Sequence, residues 1–375
     1  MNGEYSVRWF DSWGSDNGHS TYGGDEWGMQ DRAGQLDWVL SGGNHISIFM
    51  FHGGTSFGFG AGSLDAELRA PFTTSYDYGA AFGETGRPSQ IYTYFRDAIS
   101  KYVPEIPEVP NTPPHASVDD FTLTPVLGLL DDLPTASHIS SSPVVMEATG
   151  QVFGHILYEH IATSEVSGVI APGEGLPRDR IIVYVNSKKQ GVLDGIYLNP
   201  PSVSVSLAAG DKLWLLVESL GRADNGFSDQ TKGIYGDVSV GGNVLSEWNH
   251  YNFPLDEAPA AKNGTKEVQP DGLLVWYRGT FATPGSGGME SDTFLQLPGA
   301  VKGHVFLNGI NLGRYWTIGP QQELFVPGAY MNKDSENEVL VLELEPGTND
   351  RVARGVAERN WSNNPDPDCP NCSQL

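Results

Sequence analysis

Carboxylates and aromatic residues alternate near the start of the chain, in the segment GEYSVRWFDSWG of residues 3–14. An aromatic ring can stack on the C–H face of a pyranose, and a neighbouring carboxylate can attack or protonate at the anomeric centre. The segment therefore suits sugar chemistry. On composition alone it also fits a buried aromatic cluster whose acidic side chains are solvated, and that interpretation stays open at this point.

A second segment rich in glycine and aromatic residues, FHGGTSFGF, covers residues 51–59 and follows the apolar residues 46–51. The nearly continuous apolar run predicts a strand that is buried on both faces. Loops that follow such strands face ligands in many α/β proteins, so this segment is a second candidate for a binding loop. Its glycines would equally serve a simple turn.

The first hundred residues have a mixed α/β pattern. Apolar side chains at helical spacing predict a helix over residues 29–40, and Ser89 is the expected N-cap of a second helix that ends near Tyr102. Prolines at five positions between residues 104 and 114 then indicate an extended linker. The predicted elements of the first hundred residues must position the two candidate segments.

Beyond the linker, short apolar or alternating runs are separated by Gly, Pro, Asn and Asp, which is typical of β-sandwiches. Asn308-Gly309 is a hairpin signal within one of these runs. The predicted organisation is an α/β part over residues 1–103, a Pro-rich linker over 104–135, a first β-sandwich over 136–258, a second over 270–348, and a polar tail over 349–375 that we expect to fray. Strands are expected at residues 151–158, 180–185, 212–217, 274–281, 293–297, 304–307 and 338–344.

Charge narrows the classes of function. The 375 residues include 46 Asp+Glu and 22 Lys+Arg, which gives a net charge of −24. A body this acidic is repelled by nucleic acid and by anionic membranes, so we expect neither nucleic-acid binding nor membrane insertion. A homo-oligomer is compatible with the sequence.

Metal and redox chemistry have weak support in the sequence. His45 and His52 do not have the spacing of a zinc site, so no metal and no cofactor are predicted. The cysteines, Cys369 and Cys372, lie in the predicted tail, where we expect them to be solvated or locally bridged.

The two candidate segments belong to a larger pattern. Residues 3–14, then IFMFHGGTSFG at 48–58 and TSYDY at 74–78, resemble the glycoside hydrolase family 35 β-galactosidases in order and spacing. The resemblance continues through residues 217–222 and 253–256. It is most specific in the long motif FLQLPGAVKG…NGINLGRYW of residues 294–316.

The resemblance implies a fold and an activity. The fold would be the C-terminal part of a (β/α)8 TIM barrel, containing its seventh and eighth strands, followed by two jelly-roll or galactose-binding-like β-sandwich domains. The activity would be that of an exo-acting, retaining β-galactosidase that releases terminal non-reducing β-D-galactose from β-galactoside glycans. It also implies a lysosomal, vacuolar or extracellular location for the full-length protein, although this chain shows no signal peptide.

The resemblance also implies roles for individual residues. Glu4 matches the catalytic nucleophile, Tyr78 a hydroxyl that binds galactose, and Trp9 an aromatic ring that packs on the C5–C6 edge of the sugar. We interpret Asp77 as structural.

Three positions depart from the family pattern. The Asn-Glu-Tyr-Gly-like segment that carries the family's acid/base Glu is absent from the sequence, Arg8 stands where glycine is usual, and Asn225 stands where many relatives have a galactose-facing tyrosine. Since two of eight strands cannot close a barrel, we expect the barrel end to be poorly packed and the chain alone to be no more active than a Glu4→Gln control. The alternative function is a non-catalytic carbohydrate-binding β-sandwich protein with a vestigial barrel part.

Overall fold

The computed structural model describes residues 2–15, 18–65, 70–109, 111–112, 114–130, 133–175, 177–197, 201–225, 230–259, 274–285, 291–345 and 351–370. These residues contain two α-helices and 23 strands, so the protein is mostly β-sheet. None of the helices in this part of the chain is long and apolar enough to span a membrane.

The N-terminal α/β unit contains strands β1–β3 and helices α1 and α2. In chain order they are β1 (Asn2–Ser6), α1 (Glu26–Ser41), β2 (Ile46–Phe49), β3 (Ser63–Asp65) and α2 (Gln90–Ser100). Both predicted helices are present. Helix α1 begins three residues earlier than predicted, because the Asp25 carboxylate accepts a hydrogen bond from the Gly28 amide at 2.9 Å and caps the first turn. Ser89 precedes α2, but its hydroxyl donates to the Ala80 carbonyl at 2.7 Å instead of capping the helix.

Strand β2 is not buried on both faces as the sequence predicted. It pairs in parallel with β1, and its residues alternate between half-buried and exposed, with Phe49 38% exposed. The apolar core of the unit lies on one side, where Val7, Met29, Leu36 and Phe95 pack together. The described residues place no layer over the other face, so an apolar run that suits a two-sided strand remains partly open to solvent.

Apart from two short 3-10 helices, Met146–Thr149 and Gly328–Tyr330, the remaining elements are strands. They are β4 (Val118–Thr122), β5 (Thr124–Gly128), β6 (His138–Ser140), β7 (His155–Ile161), β8 (Val166–Pro172), β9 (Arg180–Val185), β10 (Lys188–Asp194), β11 (Ser204–Leu207), β12 (Lys212–Glu218), β13 (Ala223–Asn225), β14 (Val238–Val240), β15 (Asn243–Val244), β16 (Trp248–Phe253), β17 (Val275–Phe281), β18 (Thr293–Gln296), β19 (Lys302–Leu307), β20 (Ile310–Trp316), β21 (Leu324–Val326), β22 (Asn337–Glu345) and β23 (Val352–Val356).

Except for β13, which pairs with β3, these strands form two sandwiches that pack against each other. The first packs a six-stranded sheet, β10-β9-β12-β7-β16-β6, on a four-stranded sheet, β11-β8-β14-β15. The second packs a five-stranded sheet, β20-β19-β22-β17-β5, on a four-stranded sheet, β21-β18-β23-β4. A third apolar core, which includes Leu157, Trp214, Trp276, Phe306 and Leu342, joins the six-stranded sheet to the five-stranded one. The central sheets are therefore buried on both faces, which explains the continuous apolar runs LWLLV of β12 and VLVL of β22.

Two predicted boundaries are wrong. Residues 118–128, assigned to the linker 104–135, form β4 and β5, which belong to the second sandwich. Pro125 is compatible with β5 because this strand lies at the edge of its sheet, where a missing amide donor costs little. Residues 352–356, assigned to the tail 349–375, form β23 in the middle of a sheet, where they pair with β18 and β4.

The end of the predicted tail is also packed. Cys369 is disulfide-bonded and joins an apolar cluster with Trp13 and Trp316, and it is not solvated. Cys372 lies outside the described residues. The hairpin prediction is confirmed, since Asn308 and Gly309 connect β19 to β20 with φ values of 50° and 84°.

A buried group of charged residues lies where the two central sheets meet. We call Glu218, His155, Lys302, His304 and Arg314 the Glu218 cluster. The Glu218 carboxylate accepts from Arg314 Nε at 2.7 Å and lies 3.0 Å from Lys302 Nζ. It thus joins β12 of the first sandwich to β19 and β20 of the second.

The surroundings of the Glu218 cluster shift several pKa values. Burial alone would raise the pKa of Glu218, but Lys302 and Arg314 outweigh it and hold that pKa well below its usual range. Burial lowers the pKa of Lys302 to about 8 and that of His155 to about 4, and it lowers the pKa of His304 well below its usual value. Both histidines are therefore neutral near pH 7.

Replacing Glu218 by Gln should destabilise the fold strongly, because Lys302 and Arg314 would keep buried charges without their carboxylate. We expect a loss of about 3–5 kcal/mol in the free energy of unfolding, measured by urea denaturation near neutral pH. Glu338→Gln is the matched control, since Glu338 pairs with Arg278 at the surface and should cost no more than about 1 kcal/mol. Equal effects of the two substitutions would contradict the role given to Glu218.

Acidic pH should destabilise the contact between the sandwiches, because His155 is buried in its neutral form. Its folded pKa is lowered to about 4, so the unfolded chain takes up a proton before the folded chain does. The free energy of unfolding should therefore fall as pH decreases from about 6.5 to about 4.5, and His155→Gln should remove about 2 kcal/mol of that fall. Urea titrations at both pH values measure this. An unchanged pH dependence in His155→Gln, or the same change in the exposed-residue control His45→Gln, would contradict it.

Candidate functional site

The three residues proposed from the sequence lie in one cluster. Glu4 is exposed on β1, Trp9 is 51% exposed just after it, and Tyr78 is 2% exposed in the loop before α2. The rings of Trp9 and Tyr78 are 6.1 Å apart. Burial raises the pKa of Tyr78, and the charge of Glu4 adds to this effect, so the carboxylate acts electrostatically on the phenol.

Further aromatic rings complete this cluster. Phe10 lies 4.6 Å from Trp9, Tyr76 lies 5.4 Å from Tyr78, and Phe49 meets Tyr78 edge to face at 5.7 Å. We call these four rings and Trp9 the aromatic cluster. Phe10 and Phe49 were not proposed as site residues. Phe10 lies in the first aromatic segment and Phe49 in the apolar run before the second, but the sequence does not show which of these rings meet.

The glycine-rich segment after β2 lies against the loop of residues 70–89, which carries Tyr76 and Tyr78 and which we call the tyrosine loop. A side chain at Gly53 would place its Cβ 1.7 Å from the Tyr76 carbonyl oxygen, so glycine is needed for this approach. Tyr78 itself has a φ of 64°, a conformation that costs energy for a residue with a side chain and is often found at functional sites. The sequence segment 51–59 thus acts as a support for the tyrosines.

Asp77 lies between the two tyrosines and makes contacts within the protein. Its Oδ2 accepts from Arg359 Nη2 at 2.7 Å and from the Glu84 amide at 3.1 Å. Glu84 is buried and accepts from Thr55 Oγ1 at 2.6 Å and from Ser75 Oγ at 2.8 Å, and it also pairs with Arg359. These bonds fix the backbone on both sides of Asp77.

The side chain of Arg8, the residue that stands where glycine is usual in the family, is held by Asp25 and Tyr22. Its guanidinium group bonds Asp25 Oδ2 at 2.7 Å and stacks 3.9 Å from the centre of the Tyr22 ring. The charge is therefore turned toward the start of α1. Position 8 can therefore hold a residue larger than glycine without disturbing the cluster.

The first sandwich contributes to the edge of the site. Strand β13 pairs in parallel with β3 of the α/β unit, and its exposed Asp224 contributes, after burial and Tyr78, to raising the pKa of Tyr76. The side chain of Asn225, the residue that departs from the family pattern, lies outside the described part of the structure.

Other buried acids near the cluster are already bonded to basic or polar groups. Asp11 accepts from the Ser20 amide at 2.8 Å and lies 2.6 Å from His19 Nδ1. Asp77 and Glu84 are paired with Arg359. A retaining glycosidase needs a second carboxyl group that can exchange a proton with solvent or substrate. These three described acids do not offer one.

One group of side chains has the spacing of a metal site. Ligand atoms of His155, Glu218 and His304 lie within 4.8 Å of one another, and their ring nitrogens have no hydrogen-bond partner among the described residues. Both oxygens of Glu218 are, however, already paired with Lys302 and Arg314. A divalent cation here would be repelled by two buried positive charges, so the group does not fit a metal.

The architecture defines a multidomain protein in which an α/β unit carrying an acidic and aromatic cluster is followed by two β-sandwiches. Residues 1–102 match the model of glycosyl hydrolases family 35. Residues 143–256 match the first all-beta domain of beta-galactosidase, and residues 274–337 match the galactose-binding domain of beta-galactosidase. The chain belongs to glycosyl hydrolase family 35.

Relatives with curated names agree with the family. The chain is 33% identical to the beta-galactosidase of Mus musculus over 375 residues, which cover 92% of this chain and 56% of the relative. It is also 33% identical to the beta-galactosidase of Homo sapiens, covering 92% of this chain and 53% of the relative. The corresponding figures for the beta-galactosidase of Xanthomonas manihotis are 33%, 87% and 53%. The chain thus spans about half the length of these relatives.

Likeness to solved structures is low. The Pleurotus ostreatus lectin in complex with GalNAc aligns with 65% of this chain and 78% of its own, at 11% identity and a TM-score of 0.16. A similarity of this size adds nothing to the assignment.

The contact between Arg8 and Asp25 should stabilise the start of α1. We expect a double-mutant cycle of Arg8→Met and Asp25→Asn to give a coupling energy of about 0.5–1 kcal/mol, since the pair is partly exposed and Asn retains the capping acceptor. Urea denaturation of the four proteins measures it. Strictly additive effects would show that Arg8 is not held by Asp25.

Proposed function

We propose that this chain supplies the nucleophile and the sugar-binding aromatic cluster of an exo-acting, retaining β-galactosidase that releases terminal non-reducing β-D-galactose from glycans. The observation that carries the proposal is the meeting of Glu4, Trp9 and Tyr78 in one cluster. Family membership and the names of the relatives support the substrate class.

Each residue of the cluster has a distinct task in this proposal. The Glu4 carboxylate attacks the anomeric carbon, forms a glycosyl ester and expels the aglycone, and water then hydrolyses the ester with overall retention. The exposed ring of Trp9 packs against the apolar C5–C6 edge of the sugar. The Tyr78 hydroxyl hydrogen-bonds the galactose, and its raised pKa keeps it protonated as a donor.

Departure of an ordinary aglycone requires a proton. The acids Asp11, Asp77 and Glu84 are bonded within the protein, and the sequence has no match to the family's acid/base segment. We therefore assign the first chemical step, attack by Glu4, to this chain. Asp11, Asp77 and Glu84 are engaged within the protein, so none of these three is assigned the protonation of the leaving group.

We further propose that the α/β unit corresponds to the last two β/α units of a (β/α)8 barrel, and that the sandwiches are of jelly-roll or galactose-binding type. The order β1, α1, β2, α2 with a parallel β1–β2 pair supports the first assignment. The exposure of Phe49 and Phe51, at 38% and 40%, is consistent with strands suited to burial on both faces.

A substrate with an activated leaving group tests Glu4 without requiring the acid. We expect 2-deoxy-2-fluoro-β-D-galactosyl fluoride to label Glu4, because fluoride departs without protonation and the 2-fluoro group slows hydrolysis of the ester. Mass spectrometry of the intact chain and of its N-terminal peptide measures the label. With aryl β-galactosides, which need more help from an acid, turnover should not exceed that of Glu4→Gln.

Two controls define the result. Glu4→Gln should take up no label, and the corresponding glucosyl fluoride should react more slowly with the wild-type chain. Labelling of another carboxylate, or equal labelling of Glu4→Gln, would overturn the assignment of Glu4. Galactose binding without any labelling would favour a carbohydrate-binding protein over an enzyme.

A further inference from the structure

We propose that Arg359 and Trp361, which follow β23, are positioning residues of the aromatic cluster. They hold the tyrosine loop and the segment of Trp9 in place from a part of the chain that the sequence predicted to be a frayed tail. The galactoside readout of this inference rests on the function proposed above, whereas its effect on the position of Trp9 does not.

Arg359 holds the tyrosine loop through two carboxylates. Its Nη2 donates to Asp77 Oδ2 at 2.7 Å, and its Nη1 pairs with Glu84. Asp77 lies between Tyr76 and Tyr78, and Glu84 bonds Ser75 of the same loop. The planar guanidinium group can serve both carboxylates at once, which a lysine ammonium group cannot do with the same geometry.

Trp361 reaches the segment of Trp9 by a separate route. Its ring stacks on His19 with a centroid distance of 3.6 Å and an interplanar angle of 3°. His19 lies 2.6 Å from Asp11, and Asp11 accepts from the Ser20 amide. The Ser20 hydroxyl in turn accepts from the Trp9 amide at 3.3 Å.

Both sets of contacts start from the short segment of residues 359–361. Arg359 stacks 4.3 Å from the centre of the Trp361 ring, and its side chain is 12% exposed. The backbone amide of Asn360, between them, donates to Glu323 of the second sandwich at 2.8 Å. The segment is thus fixed to the second sandwich and contacts Asp77 and Glu84 on the side of the tyrosines and His19 on the side of Trp9. Displacement of the segment should therefore move Trp9 relative to Tyr78.

The inference is tested with the full chain labelled with 5-fluorotryptophan. The chain has nine tryptophans, and a Trp9→Phe variant assigns the fluorine resonance of Trp9. We expect Arg359→Met to shift or broaden that resonance and to weaken binding of methyl β-D-galactoside about tenfold, since a small displacement of a binding group has effects of this order. Guanidinium ion in solution should partly restore both properties, because methionine fills the space of the arginine stem and leaves that of the guanidinium group.

Arg354→Met is the matched control. Arg354 lies on β23 and pairs with Asp120 at the surface, so neither the Trp9 resonance nor the affinity should change. Trp361→Leu and Trp361→Phe provide a second pair in case Arg359→Met does not fold. Leucine should disturb the Trp9 resonance, and phenylalanine should retain it because it can still stack on His19.

The outcomes separate this inference from the proposed function. An unchanged Trp9 resonance in both Arg359→Met and Trp361→Leu would overturn the inference, whatever the chain binds. A changed resonance with no binding of galactoside by the wild-type chain would support the positioning role and overturn the proposed function. Loss of affinity that guanidinium ion does not restore, with an unchanged resonance, would also contradict the inference.

Discussion

The negative charge of Glu218 lies between two β-sheets that are apolar on both faces, and much of the arrangement of the molecule depends on its neutralisation. Arg314 and Lys302 come from the second sandwich, and Glu218 ends a strand of the first. A buried charge is tolerated only where opposite charges and hydrogen bonds compensate its desolvation. The charge of Glu218 is therefore compensated only when the two sandwiches are placed so that it meets Lys302 and Arg314.

The contacts between the two sandwiches continue to the candidate site. Arg314 donates to the Ser219 carbonyl at 3.0 Å, and its own carbonyl accepts from the Thr74 hydroxyl at 2.9 Å, three residues before Asp77. Beyond Ser219 the chain continues to β13, which pairs with β3 of the α/β unit. The second sandwich thus supports the tyrosine loop. The first sandwich supports the neighbouring strand, β3. The β-sandwiches position the site as well as adding surface to the protein.

The sequence predicts those features that depend on local pattern. The strand of residues 180–185 follows from a nearly continuous apolar run and the Asn308-Gly309 hairpin from turn preference, and both are present. The family motifs likewise indicated Glu4, Trp9 and Tyr78, which the structure brings together. Features set by distant partners could not be read in this way. Arg359 lies 282 positions from Asp77, and nothing in the polar residues around it indicates an ion pair with that loop.

The segment after β23 has a consequence for how the protein is made. Translation proceeds from the N-terminus, so Glu4, Trp9 and Tyr78 leave the ribosome long before Arg359 and Trp361 do. Asp77 and Glu84 of the tyrosine loop cannot pair with Arg359 until the second sandwich and the residues beyond it have been synthesised. A late nonsense mutation, or a nascent chain released early, would leave every residue of the aromatic cluster in the polypeptide and still deprive the cluster of its support.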